Sequence, residues 1–136
     1  MAAQRGTTHT LRIEVAPGEL VDKMSILEIK SERIDDAAKL KNVRHELDLC
    51  RDIFASQVPA TEEMTALVRD LKAVNEALWE IEDEIRACEA RQDFGTRFVE
   101  LARSVYLTND RRASIKRQIN TLCGSSIIEE KSYTQY

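Results

Sequence analysis

The stretch TEEMTALVRDLKAVNEALWEIEDEIRACEARQ, residues 61–92, decides the fold. Its apolar residues recur with the alternating three- and four-residue spacing of one helix face, and this spacing continues without a break for four repeats. These positions are Met64, Leu67, Leu71, Val74, Leu78, Ile81, Ile85 and Cys88. Such a helix is about 45 Å long, at about 1.5 Å per residue. An apolar seam of this length must be covered by other helices.

A second long helix is predicted at residues 96–123, after a short turn at residues 93–95. The short turn requires the two helices to fold back as an antiparallel hairpin. Residues 61–92 carry nine acidic and four basic side chains, whereas residues 94–123 carry two acidic and six basic ones. Opposite charge along the two flanks favours this pairing. Thr61 is predicted to cap the helix at residues 61–92, and Gly124 is predicted to end the helix at residues 96–123.

The chain before this hairpin predicts two further helices, at about residues 18–33 and 36–56, which either stay separate or merge. Residues 10–15 alternate between apolar and polar side chains, so they are compatible with a small β-ribbon with residues 127–133. Residues 1–9 have the composition of a disordered start. We therefore expect an all-α antiparallel bundle in a single domain over residues 10–136.

Composition excludes several classes of function. The net charge of −4 favours neither nucleic acid nor an anionic membrane as a partner. No apolar run approaches the roughly 20 residues of a membrane span, and the three cysteines are too far apart for a zinc site. These features predict a cytoplasmic protein. Trp79 lies off the seam, so either the first two helices or a second subunit should cover it. Together with the long seam, it predicts a homo-oligomer.

The seam of the last helix is interrupted at Thr108, Asn109 and Arg112. A buried arginine needs an acidic partner. Counting residues back from the turn of the hairpin places Arg112 level with residues 76–84, and Glu80 and Glu82 are the candidate partners there. One interpretation is a kink or a buried polar layer. The other is a cationic pocket that binds an anionic small molecule, such as a nucleotide or a sugar nucleotide. Its residues would be Arg103, Tyr106, Asn109, Arg112 and Lys116.

A metal site is the other chemical hypothesis. Glu76, Glu80, Asp83 and Glu84 share one face of the long helix at spacings that would suit Mg²⁺. All-helical nucleotide pyrophosphohydrolases pair two such acidic motifs on neighbouring helices, and a second motif is absent here. A solvated charged face is therefore the alternative, with no cofactor. Because no complete catalytic constellation is present, the favoured function is non-catalytic interaction or assembly rather than an enzyme.

Four stretches resemble a family of small helical proteins of bacteria and phages, whose domain has no known function. They are GELVDKMSILEIKSERI (18–34), WEIEDEIRACE (79–89), FVELARSVYLTNDRRASIKRQIN (98–120) and GSSIIEEKSY (124–133). The resemblance covers most of the chain from Gly18 onward. It implies the helical fold and transfers no activity.

Overall fold

The structure, a computed structural model, describes residues 9–136. It contains four helices: α1 (Pro17–Arg33), α2 (Ala37–Gln57), α3 (Glu62–Ala90) and α4 (Thr96–Cys123). The predicted all-α bundle is confirmed. The prediction of a disordered start falls on residues 1–9, and all of these except His9 lie outside the described residues.

The terminal β-ribbon is not formed, because residues 10–15 and 127–133 contain no strand. The C-terminal tail instead runs back along α4. Glu129 reaches Lys116 at 3.4 Å, and the rings of Tyr136 and Tyr106 meet edge to face at 5.3 Å. These side-chain contacts direct the tail to a helix surface. The N-terminal segment has no strand to pair with, and Leu11 in it is exposed.

The first two helices are separate. Residues 34–36 form an extended link, and the side chain of Asp36 caps α2 by accepting a hydrogen bond from the backbone N–H of Lys39 at 2.9 Å. This short link folds α2 back on α1, where Lys23 pairs with Glu46 at 2.7 Å. Their shared core consists of Met24, Leu27, Val43, Leu47 and Cys50.

The long helical hairpin is confirmed, with both predicted ends. Thr61 caps α3 by accepting from the backbone N–H of Met64 at 3.1 Å. Gly124 ends α4 in the left-handed conformation, with φ of 65°, which glycine adopts without steric strain. The connection is slightly longer than predicted and spans residues 91–95. Gln92 also has a positive φ, 56°, at this reversal of the chain.

Helix α1 packs against all three other helices and lies against the α3–α4 hairpin. Helices α1, α3 and α4 share a core that consists of Val21, Met64, Leu67, Leu71 and Ile119. The closest approach is at Gly18, where a Cβ atom would lie 2.6 Å from the backbone oxygen of Lys116. The Gly18 N–H donates to Asn120 Oδ1 at 2.6 Å. The missing side chain therefore allows α1 and α4 to touch backbone to backbone.

The long seam of α3 is not covered evenly. Its first half is buried, whereas Leu78, Ile81 and Ile85 are only half-buried. Helix α1 ends at Arg33, whose guanidinium carbon lies 5.9 Å from the centroid of the half-buried Trp79 ring. The first two helices or a second subunit were predicted to cover Trp79, and α1 covers part of this ring through Arg33. None of the helices in residues 9–136 combines the length and apolarity that crossing a bilayer requires.

Candidate functional site: a buried carboxylate between three helices

Asp22 of α1 is the centre of a polar cluster inside the bundle, and only 2% of its surface is exposed. Its Oδ1 accepts hydrogen bonds from Arg112 Nε and from Asn75 Nδ2, both at 2.9 Å. Its Oδ2 accepts a third from Arg112 Nη2. The carboxylate is therefore held in a bidentate ion pair with α4 and by an amide from α3.

The sequence brings these side chains together because each occupies an inward position of its helix. Asp22 follows the core residue Val21, and Asn75 lies one turn beyond Leu71 on the buried face of α3. Ser25, one turn along α1, accepts from Asn75 Nδ2 at 2.7 Å and donates to the backbone oxygen of Asp22 at 2.8 Å. Among residues 9–136, every fully buried side-chain nitrogen or oxygen has a hydrogen-bond partner.

Lys116 extends the cluster towards the surface. Its Nζ lies 2.8 Å from Glu19 Oε2, 3.4 Å from Glu129 Oε2 and 3.5 Å from Asp22 Oδ2. With Arg112 included, two cations face three carboxylates, so the formal charge of the cluster is negative. An anion gains little from such a site, because both cations already have partners.

The protonation states follow from this arrangement. Burial alone would raise the pKa of the Asp22 carboxyl, but hydrogen bonds from Arg112 and Asn75 and the two nearby positive charges lower it below its ordinary value. Burial would likewise lower the pKa of Lys116, and the carboxylates of Glu19 and Asp22 raise it instead. The hydrogen bond to Asp22 also raises the pKa of Arg112. All three groups therefore stay charged at neutral pH.

The expected partner of Arg112 was wrong. Glu80 pairs with Arg33 of α1 instead, and Glu82 lies near Arg86 at 3.3 Å. Both candidate acids lie on the neighbouring helix α3. The actual partner comes from α1, which inserts its own carboxylate between α3 and α4. The expectation of a buried polar layer agrees with the observed cluster, since Thr108 is also buried.

The five residues predicted for an anion pocket do not all meet. Asn109 lies beside Arg112, accepting from its Nη1 at 3.4 Å, and Lys116 joins the same cluster. Tyr106 and Arg103 lie on the exposed side of α4, where Tyr106 packs against Tyr136. The anion pocket therefore remains a hypothesis, and the geometry offers it no unpaired charge at Arg112 or Lys116.

The four acids predicted for Mg²⁺ are likewise not gathered. Glu80 and Glu84 pair with Arg33 and Arg97, which belong to different helices. Within residues 9–136, no three His, Cys, Asp or Glu side chains are arranged to hold a metal ion. The hydrogen bond to Glu80 raises the pKa of Arg33, and Glu76 and Asp83 lie close enough for their charges to raise it too, so this face of α3 interacts with an arginine.

Sequence reasoning missed the residues that complete the cluster, which are Glu19, Asp22, Ser25, Asn75 and Glu129. A weak signal was present in two of them. Asp22 stands between Val21 and Met24, which are core residues of α1, and Asn75 directly follows the seam residue Val74. A polar residue at an inward position indicates a buried hydrogen bond.

A cleft of about 450 Å³ opens beside the cluster, between α1, α3 and α4. Its apolar wall consists of Ile26, Ile29, Leu78, Trp79 and Val105. Asn75, Asn109 and Arg112 line its polar wall, and Glu82, Asp83 and Arg86 line the remainder. The cleft forms where α1 ends before the α3–α4 hairpin does.

The model of a family of unknown function (DUF6165) matches residues 11–136, which is nearly the whole chain. The chain belongs to this family. The match includes every residue of the Asp22 cluster and of the cleft. No curated protein and no solved structure matches the chain.

Replacing Asp22 by Asn should lower the free energy of unfolding by about 2–4 kcal/mol at neutral pH, because Arg112 then lacks its buried counter-charge. The folded-state pKa of Asp22 lies below its ordinary value of 3.8, so the charged carboxylate stabilises the fold above that pH. This stabilisation is lost as the pH falls through the folded-state pKa. Urea unfolding of both proteins from neutral to acidic pH measures it.

The difference between wild type and Asp22→Asn should stay constant down to about pH 4 and shrink below it. Glu19→Gln is the matched control, because this half-exposed partner of Lys116 should contribute only about 0–1 kcal/mol. A stability difference that persists unchanged into strong acid would contradict a charged Asp22 in the folded state.

Proposed function

We propose that the protein is a non-catalytic helical interaction protein that assembles into a homo-oligomer in the cytoplasm. The free thiols of Cys50, Cys88 and Cys123 support a reducing compartment. The Asp22 cluster supports a structural role for the buried polar groups, since they bind one another. Interaction with other molecules is then a property of the protein's surface.

The observation that carries the proposal is the position of α2. Within residues 9–136, α2 packs along α1 and along no other helix, and only Phe54 near its end reaches the core of the other three. Its opposite face carries Leu49 and Ile53, which are 53% and 45% exposed. A helix about 30 Å long with one neighbour offers a wide free surface for a partner.

Light scattering coupled to size exclusion tests self-association. The expected result is an oligomer at micromolar concentration, with a melting temperature that rises with protein concentration because association stabilises the folded chain. A monomer over the whole accessible concentration range, with a melting temperature independent of concentration, would refute the proposal.

A second candidate, binding of a small molecule, is favoured by one feature of the cleft. Asn75 is 5% exposed and uses its Nδ2 for Asp22 and Ser25, while its Oδ1 accepts no hydrogen bond from residues 9–136. Every fully buried polar side-chain atom in that range has a hydrogen-bond partner, so this oxygen is not fully buried and retains some access to solvent. Asn75 also lines the cleft. An apolar cleft with a few polar groups is the usual form of a ligand site.

The chemistry of the cleft favours a flat, largely apolar ligand with a polar edge over a free anion. Its edge would donate a hydrogen bond to Asn75 Oδ1, and its body would lie against Trp79 and Val105. The charges around the cleft are balanced, with Arg86 and Arg112 set against Glu82 and Asp83. A nucleobase or another heteroaromatic amide has this combination of properties.

Trp79 is the chain's single tryptophan, so its fluorescence reports on the cleft directly. Nucleosides, nucleotides and nucleotide sugars are the compounds to titrate, and a ligand should give a saturable change. Val105→Phe should weaken binding by about tenfold or more by filling the cleft, whereas Val99→Phe on the exposed side of α4 should leave binding unchanged. No saturable change with any compound, or equal binding by Val105→Phe, would exclude this candidate.

A further inference from the structure

We propose that the free face of α2 is covered by α2 of a second copy of the chain, packed antiparallel about a twofold axis near the midpoint of the helix. This inference rests on the proposed self-association and specifies its surface. It follows from the distribution of apolar and charged side chains on a helix that has one neighbour.

Two ridges run along the free face. Val43, Leu47 and Cys50 point into the core with α1, so the opposite side of the helix faces outward. His45, Leu49 and Ile53 follow one another there at four-residue spacing and form a ridge whose last two side chains are apolar. Beside it lies a charged ridge consisting of Arg44, Asp48 and Asp52 together with Lys41, which stands at the N-terminal end of both ridges; all four are exposed.

The charged ridge is divided by sign. Its bases, Lys41 and Arg44, lie in the N-terminal half of α2, and its acids, Asp48 and Asp52, lie in the C-terminal half. The ion pairs that α2 makes within residues 9–136 use Glu46 and Arg51 instead. Within the helix, the like-charged pairs Lys41–Arg44 and Asp48–Asp52 repel and the pair Arg44–Asp48 attracts, so this order of charges brings the isolated helix no net gain.

An antiparallel second copy gives this order a purpose. A twofold axis near the midpoint places Lys41 and Arg44 of each copy opposite Asp52 and Asp48 of the other. Leu49 and Ile53 then lie across the partner's His45 ring and the methylene stem of its Lys41. A parallel arrangement would instead place like charges together, so the charges select the antiparallel one.

An exposed ridge of α4 that also carries apolar residues does not fit a second copy of itself. On α4, Val99 and Leu107 alternate with Arg103 and Arg111 along one ridge. This ridge contains no acidic residue, so a second copy of it would supply no carboxylate to offset the arginine charges. The free face of α2 is the self-complementary one of the two.

The test uses two charge variants of α2. One is Asp48→Lys with Asp52→Lys, whose ridge is entirely basic, and the other is Lys41→Glu with Arg44→Glu, whose ridge is entirely acidic. Lysine and glutamate are both good helix formers, so α2 should form in each variant, and circular dichroism will check this. Asp70→Lys with Glu130→Lys, at exposed positions away from α2, has the same change of charge as the basic variant and is its control.

Analytical ultracentrifugation of each variant alone should show self-association weakened by about tenfold or more, while the control behaves as wild type. Mixing the basic and acidic variants should restore association, as a one-to-one heterodimer, because all facing charges are then opposite. Self-association that is strong at low salt and weaker at high salt would support the same pairing.

The outcomes separate this inference from the proposal on which it rests. If wild type and both variants associate equally, the protein is an oligomer through another surface, and the α2 inference is overturned. If each variant loses association and mixing does not restore it, the antiparallel charge pairing is wrong. A wild type that is monomeric throughout overturns the self-association as well.

Discussion

The arrangement of the bundle depends on one buried ion pair. A carboxylate in a protein interior is strongly unfavourable without partners, and Asp22 satisfies this requirement with groups from two other helices. Arg112 supplies two donors from α4, and Asn75 supplies one from α3. A shift of α1 by one turn would break all three bonds together. The apolar seams bring the helices into contact, and the Asp22 cluster determines their register.

The same cluster limits where the protein can act. Arg112 and Lys116 are the conspicuous cations of α4, yet three carboxylates surround them. Their charge is therefore used within the chain and stabilises its fold. The face of α2 that carries Leu49 and Ile53 and the cleft beside Trp79 are both accessible from outside the bundle. Both exist because α1 is shorter than the hairpin that it stabilises and can bind α2 on one side only.

Local features of the sequence predicted the helices well. The spacing of Met64 through Cys88 predicted α3, and the capping chemistry of Thr61 and Gly124 predicted where helices begin and end. These signals are local, since they depend on neighbours within one or two turns. The hairpin followed from the short turn, and the opposite charges of the two helices favoured the same pairing.

The candidate site was only partly predictable, because its residues come together through tertiary packing. Arg112 was recognised as an interruption of a seam, but its partner lies 90 residues earlier in the chain, on a helix whose position the sequence pattern did not define. The ribbon expectation failed for a similar reason. Residues 10–15 alternate between apolar and polar side chains, but the tail that contains Glu129 and Tyr136 contacts α4 and forms no strand with them.

A double-mutant cycle between Asp22 and Arg112 tests the central claim most directly. Urea unfolding of wild type, Asp22→Asn, Arg112→Gln and the double variant gives the coupling energy between the two side chains. The buried bidentate pair predicts a coupling of about 1–3 kcal/mol. The double variant should therefore lose less free energy of unfolding than the two single variants lose together. Effects that add to within about 0.5 kcal/mol would show that the two residues act independently, and would contradict the account.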